Sequence, residues 1–522
     1  MFEKIATLLR LMRIARTLAR HDALAAFEEE RLIPGKLAAV AVWWGRKLSR
    51  RNTPGRPGEK LARALTELGP SFIKLGQFLS TRADLLGEQL ATDLAQLQDQ
   101  LSPFDGSLAK SIIEKELGRD LEQLFLSFDM DAISAASIAQ VHFAETIEGE
   151  AVAVKVLRPG VEESFRKDLK LFYSLASLLE KSRPSFRRFR LTEVVQTFHD
   201  TVRLEMDLRM EAAGACELAE NFADDFSYDT PSIDWDRTSR RVLTMSRVEG
   251  IPLDDREALL AAGHNLEEVL TSAAAIFFNQ VFRDGFFHGD QHPGNMFVGD
   301  DGRLVAVDFG IMGRLDKNTR FFLADMLVAL LREDYVKLAE AHVTAGLIPA
   351  NQSIETFAQA LRSVCQPIMG KDLSHFSFAK MLGQMLHLAE SFDMTIQPHL
   401  LLLQKNMVMA EGVSRSLDEN LNLWSLAQPL VEDWILKNRG PEARVREGIT
   451  TLSGSLEKLP RLISNLEAAS EKFSQSGLRL HSETIQDFHK ESSGTARWAF
   501  ILAIASLAFS IGFTVNFILF YG

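Results

Sequence analysis

The pairing of "HGDQHPGN" with "LVAVDFG" constrains this 522-residue chain more than any other feature. Asp290 and Asn295 stand on a polar loop that leads into an apolar stretch, and Asp308 directly follows a second apolar stretch. Asp and Asn are ordinary turn formers between strands. Placed at successive strand boundaries, downstream of a lysine in the alternating run "AVAVKVL", they offer more than turns. Phosphoryl transfer needs a cation over the phosphates, oxygen ligands for magnesium and a group that positions the acceptor, with little covalent work for the protein. The chain carries each part: Lys155 for the phosphates, Asp290 beside the transferred group, Asn295 and Asp308 for the metal.

The surrounding pattern supplies a scaffold. Residues 61–130 read as mainly helical, with breaks at Gly69-Pro70 and Ser102-Pro103, since proline restricts the residue before it. Residues 137–157 switch to two strands around a turn at Gly149, helices return over 161–225, and "RRVLTMSRVEG" supplies a further strand near 241–248. Another helical stretch leads to a short hairpin pair around the Asp290 loop, and 317–425 is helical throughout. A few strands early and many helices later predict an α+β fold in two lobes and argue against a parallel sheet with regularly alternating helices.

The ends of the chain have a different character. "MFEKIATLLRLMRIARTLARH" spaces Arg10, Arg13, Arg16 and Arg20 as on an amphipathic helix, which suits either an anionic membrane surface or packing on the chain's own domain. Trp43 and Trp44 lie in a basic stretch before a Pro/Gly-rich linker, suited to an interface or a hinge. The expected organisation is a basic N-terminal region over 1–60, a helical extension over 61–130, the two-lobed domain over 131–425 and a helical linker over 426–496. Residues 498–522 carry no charge, and a helix of that length, about 37 Å, crosses a hydrocarbon core of about 30 Å. A transmembrane helix is therefore expected over 497–521, and basic residues on its N-terminal flank predict a cytoplasmic large domain.

Net charge and cysteine content exclude other classes. A formal charge of −12 disfavours nucleic-acid backbones as partners. Two distant cysteines make no disulfide framework, and the run from His288 through Gly-Asp-Gln to His292 is not the helical two-His, one-Glu zinc signature.

Taken with "KLGQ" (Lys74 to Gln77), "AAS" (Ala135 to Ser137) and "EMD" (Glu205 to Asp207), these segments resemble the ABC1/ADCK/UbiB atypical kinase-like family from about residue 61 to 425. The resemblance implies an atypical protein-kinase-like fold whose N-terminal helical extension covers the mouth of the site. It directs Lys74 and Gln77 at the nucleotide, sets Glu205 and Asp207 nearby, and makes Ala135, Ala136 and Ser137 the nucleotide loop in place of a Gly-rich turn. ATP or ADP and Mg2+ are the implied ligands. Lys155 needs a carboxylate partner: Glu205 and Glu211, read on one helix, lie about 120° from sharing a face, and Glu211 is the choice for Lys155 with Glu205 toward Lys74. No long activation segment follows Asp308-Phe309-Gly310, which counts against polypeptide substrates.

The family further implies a role in ubiquinone biosynthesis at the bacterial inner membrane. Its implied partners are membrane lipids, isoprenoid quinone precursors and other biosynthetic proteins. ATP hydrolysis coupled to precursor access is the leading expectation, with a nucleotide-gated scaffold or a small-molecule or lipid kinase as alternatives. Homodimer formation is left open.

Overall fold

The computed structural model describes residues 2–23, 55–80, 86–95, 101–182, 190–349, 351–369 and 397–417, with Leu97 and scattered positions between 381 and 394 and between 429 and 437. The chain divides into two units, Met1–Leu436 and Lys437–Gly522, and the fold below is that of the first. Trp43, Trp44, most of the linker and the expected span over 497–521 lie outside the described residues. Among the described residues no helix is long and apolar enough to cross a membrane.

Helix α1 (Phe2–Arg20) leads to α2 (Pro57–Leu68), α3 (Pro70–Ser80) and α4 (Glu88–Ala95). Gly69 between α2 and α3 takes a φ of 106°, where a residue with a Cβ is strained, and the following proline opens the next helix. The basic helix packs on its own domain. Arg10 reaches buried Asp168 with two N–H groups at 3.0 and 2.8 Å, and Arg20 and His21 share Glu67. Leu9, Met12, Arg13 and Arg16 of the same helix form an exposed stripe.

Helix α5 (Gly106–Leu117) is capped by Asp105, whose carboxylate accepts from Ser107 N. The sheet of the first lobe follows: β1 (Phe125–Phe128), β2 (Ser134–Ala135), β3 (Ala139–Thr146) and β4 (Ala151–Leu157) are joined by β6 (Val242–Ser246) in the antiparallel order β1-β3-β4-β6, with β2 beside β3. Lys155 stands in the central strand between Val141 and Leu243. One face of this sheet packs Val152, Val154 and Val156 against Ala109 and Ile113 of α5. Toward the other, Leu157 and Leu243 join a core with α2, α3 and α4, so the N-terminal extension shares the hydrophobic interior of the lobe.

Helices α6 (Val161–Ser182), α7 (Leu191–Glu205) and α8 (Leu208–Asn221) come between β4 and β6. The expected single helix through Glu205 and Glu211 is broken at Met206-Asp207. Asp207 caps α8, and Leu208 N donates to the Arg240 carbonyl next to β6, so tertiary pairing overrides local helix propensity. The expected helical stretch of 61–130 likewise ends early, because Phe125–Phe128 pairs with β3.

The second lobe has helices and small sheets. Strands β5 (Tyr228–Asp229), β7 (Ile251–Pro252), β9 (Met296–Val298) and β10 (Leu304–Ala306) form one sheet in the order β5-β10-β9-β7, and β8 (Phe286–His288) pairs with β11 (Met312–Arg314). Helices α9 (Leu266–Phe278), α10 (Lys317–Leu331), α11 (Tyr335–Thr344), α12 (Ile354–Met369) and α13 (Pro398–Leu417) complete it.

Candidate phosphoryl-transfer site

The functional side chains meet where the two lobes face each other. Lys155 is 9% exposed, and its Nζ donates to Glu211 Oε1 at 2.7 Å and to Asp308 Oδ2 at 3.2 Å. Strand, helix and loop each supply one member of this cluster. Gly214, one turn beyond Glu211 in α8, has no side chain to hold the helix away: a Cβ there would meet the Met312 side chain at 3.2 Å and the Phe309 carbonyl at 3.7 Å. Phe309 is buried, packed edge-on against His288 at 5.6 Å between ring centroids.

Two carboxylates around one ammonium set the electrostatics. Burial opposes the charge on Lys155, but Asp308 and Glu211 raise its pKa above the ordinary lysine value. Partial burial also opposes ionisation of Asp308, yet Lys155, the Gly310 N–H and Lys74 hold its carboxyl down at about 2. Glu211 is pushed up to about 7, by burial first and by the neighbouring Asp308, against the pull of Lys155. The cluster is asymmetric: Asp308 carries a firm negative charge and Glu211 is the group that titrates near neutrality.

The Asp290 loop follows β8. Burial lowers the pKa of His288, leaving a neutral ring whose Nδ1 accepts from Asp290 N at 3.1 Å. Asn295 Nδ2 donates to the Asp290 carbonyl at 3.1 Å, and the Asn295 carbonyl accepts from Val307 N at 3.0 Å. One asparagine therefore ties the Asp290 turn to the residue preceding Asp308. With its amide nitrogen used inward, Asn295 has its oxygen to offer, and an amide oxygen beside a carboxylate suits a hard cation such as Mg2+. Among the described residues no group of three His, Cys, Asp or Glu could hold a metal, and Mg2+ needs none when phosphate oxygens complete its shell.

The extension reaches the same place. Lys74 Nζ of α3 lies 3.3 Å from Glu205 Oε2 at the end of α7, both largely buried. Gln77, one turn on, donates to the Leu97 carbonyl at 3.3 Å. Asp207 is committed to its own helix, both oxygens taking the Arg209 guanidinium at 2.8 and 2.7 Å. Ala135 ends β2 against Gln140, Ala136 N donates to the Ala139 carbonyl at 2.8 Å, and Arg158 donates to the Ala136 carbonyl at 2.9 Å. Ser137 is fully buried at the turn, so this loop is pinned by its own backbone.

Two residues of the site lie outside the sequence expectation. Lys405 Nζ of α13 donates to Asp290 Oδ1 at 2.7 Å, and buried Asn406 donates to the His288 carbonyl at 2.5 Å. Their one sequence signal is the polar run Gln404-Lys405-Asn406 inside the apolar stretch "LLLLQKNMVM".

A strand lysine bridging a helix glutamate and an Asp-Phe-Gly aspartate, between a small antiparallel sheet and a helical lobe, defines the protein-kinase-like class. The site is atypical in that an N-terminal extension brings a second lysine, Lys74, close enough to act on Asp308. Comparison with known proteins agrees: residues 96–342 match the ABC1 atypical kinase-like domain and residues 361–422 the UbiB helical domain. The chain is 44% identical over 409 residues to a probable protein kinase UbiB of Marinobacter nauticus, covering 78% of this chain and 75% of that one. It is 38% identical over 492 residues to a counterpart from Azotobacter vinelandii, covering 93% and 91%. The solved complex of Rv3197 with erythromycin from Mycobacterium tuberculosis is similar over 68% of this chain, at 24% identity and a TM-score of 0.44. The chain belongs to the UbiB family of ABC1 atypical kinase-like proteins.

Proposed function

We propose that the chain is a Mg2+-dependent ATPase or atypical kinase that supports ubiquinone biosynthesis at the bacterial inner membrane, coupling ATP turnover to access or organisation of isoprenoid quinone precursors. The observation that carries the reading is the Lys155, Glu211 and Asp308 cluster, with Asp290 and Asn295 tied to it through Val307. Lys155 is the cation for bound phosphates, Asp308 and the Asn295 amide oxygen would hold Mg2+, and Asp290 orients the acceptor. The bound metal would neutralise charge on the phosphate oxygens. Ala135, Ala136 and Ser137 border the nucleotide. Lys74, paired with Glu205, brings a second cation over the mouth, which favours a small or lipid acceptor, or water, over a peptide; Gln77 and Asp207 support this cover.

The exposed stripe of Leu9, Met12, Arg13 and Arg16 supports contact with membrane lipids, since it joins apolar and cationic side chains on one helix face. The uncharged run 498–522 supports single-pass anchoring with the large domain cytoplasmic. Other quinone-biosynthesis proteins, or a second copy, are the natural neighbours of a chain held there.

ATP hydrolysis by the purified full chain tests the reading, with and without anionic lipid and a ring-bearing quinone precursor analogue, for wild type and Asp308→Asn. Stimulated turnover that is lost in Asp308→Asn is expected. Nucleotide binding with no turnover under any condition would favour a nucleotide-gated scaffold.

A further inference from the structure

Asp290 sits on a loop between two short strands, and the contacts that fix its carboxylate come from more than 100 residues away. Lys405 takes Oδ1 at 2.7 Å. The next residue, Asn406, uses both ends of its amide on the same loop: Nδ2 donates to the His288 carbonyl at 2.5 Å and Oδ1 accepts from Gln291 N at 3.3 Å. Asn406 is fully buried, so the rotation of α13 about its axis is set where Lys405 leaves it. The loop's other nearby ring, His292, is turned to its own backbone, its Nδ1 accepting from Gly294 N at 3.1 Å. Helix α13 lies in the stretch matching the helical domain, beyond the stretch matching the kinase-like domain.

Stability does not account for the pair. The two side chains are 33% and 31% exposed, and ion pairs as open as this contribute little to folding. What the contact does accomplish is orientation. With Oδ1 held by the Lys405 ammonium, the carboxylate loses its free rotation and Oδ2 is the oxygen left to meet an acceptor.

We propose that Lys405 is a positioning residue for phosphoryl transfer, supplied by the helical domain to hold Asp290 in its working orientation. The proposal rests on the turnover reading above. In the step concerned, the acceptor oxygen bonds to the γ-phosphorus as the bond to the bridging oxygen of ADP breaks, and the acceptor proton passes to Asp290. Without Lys405 the carboxylate is free to rotate away from that proton.

A double-mutant cycle on the full chain tests this, using Lys405→Met, Asp290→Asn and the pair together, with Lys405→Arg as the conservative variant. Lys405→Met is expected to lower kcat by about 10- to 100-fold, the scale of misplacing a catalytic group by roughly an ångström, with KM for ATP changed less than about 3-fold. Lys405→Arg should recover much of the loss, and the double variant should be no slower than Asp290→Asn alone, because Lys405 acts through Asp290. A Lys405→Met rate within about 2-fold of wild type, or losses that multiply in the double variant, would overturn the proposal. Should Lys405→Met fail to fold, the Arg variant is read in the same cycle, and a loss that multiplies with Asp290→Asn counts against the proposal equally. Wild type is measured first: absence of turnover there overturns the ATPase reading and this proposal with it, whereas wild-type turnover indifferent to Lys405 overturns the proposal alone.

Discussion

Replacing Lys155 by Met should destabilise the fold, and more so as pH rises. The lysine is 11% exposed in its side chain and Glu211 6%, so the 2.7 Å pair is effectively buried. Removing one partner of a buried pair costs about 3–5 kcal/mol, because the remaining charge stays out of water. The second partner, Asp308, is 43% exposed in its side chain and adds little to that cost. Lysine itself does not titrate between pH 6 and 8 on either side of unfolding, since its folded pKa lies above an ordinary value near 10.4.

The carboxylate governs the slope. Glu211 has a folded pKa of about 7, raised from 4.5, so the folded chain binds more protons than the unfolded chain across that window and its stability falls as pH rises through it. Lys155 pulls that value down, so its loss raises it and extends the window upward, by about 1.4 kcal/mol for each further unit. Urea unfolding of the full chain, followed by circular dichroism at pH 6 and pH 8, should therefore show a deficit of about 3–5 kcal/mol at pH 8 and a clearly smaller one at pH 6. An equal deficit at both pH values, or one below about 1 kcal/mol at pH 8, would refute the reasoning.

Other contacts give further expectations. Arg10→Ala leaves the 2% exposed Asp168 side chain without its guanidinium and should cost about 2–4 kcal/mol, with part recovered on adding Asp168→Asn; thermal unfolding of the single and double variants checks this. In Gly313→Ala the new Cβ would overlap the ring of fully buried Phe287, so a loss of about 1–3 kcal/mol is expected in chemical denaturation, and a neutral result would mean that β8 and β11 give way easily. Leu9→Glu with Met12→Glu should weaken binding to vesicles containing anionic lipid without changing the melting temperature, because both side chains are more than half exposed; co-sedimentation measures it.

The candidate set was legible in the sequence because Lys155, Asp290, Asn295 and Asp308 stand at strand positions or strand ends, where alternation and turn chemistry are local signals. The Gly69-Pro70 and Gly149 breaks were readable for the same reason: each needs a particular backbone shape. Other features depend on distant partners. The run "EMDLRMEAAG" has no Pro or Gly at the point where the helix breaks; the Arg240 carbonyl opposite Leu208 is invisible locally. The strand Phe125–Phe128 is too short for periodicity and exists through its pairing with β3. Arg10 and Arg20 fit a membrane face or an acidic neighbour equally well until Asp168 and Glu67 are in place. Lys405 and Asn406 were hidden by distance, their polar run on an apolar helix having no meaning without the loop against it.

The most direct test of the central claim is the ubiquinone content of cells lacking this chain, measured by chromatography of extracted lipid after resupply of wild type or Asp308→Asn at matched levels. Turnover at this site as the source of function predicts normal quinone with wild type and a deficit, with accumulated precursor, for Asp308→Asn. Normal quinone with Asp308→Asn, in a protein shown to have lost ATP turnover, would contradict it.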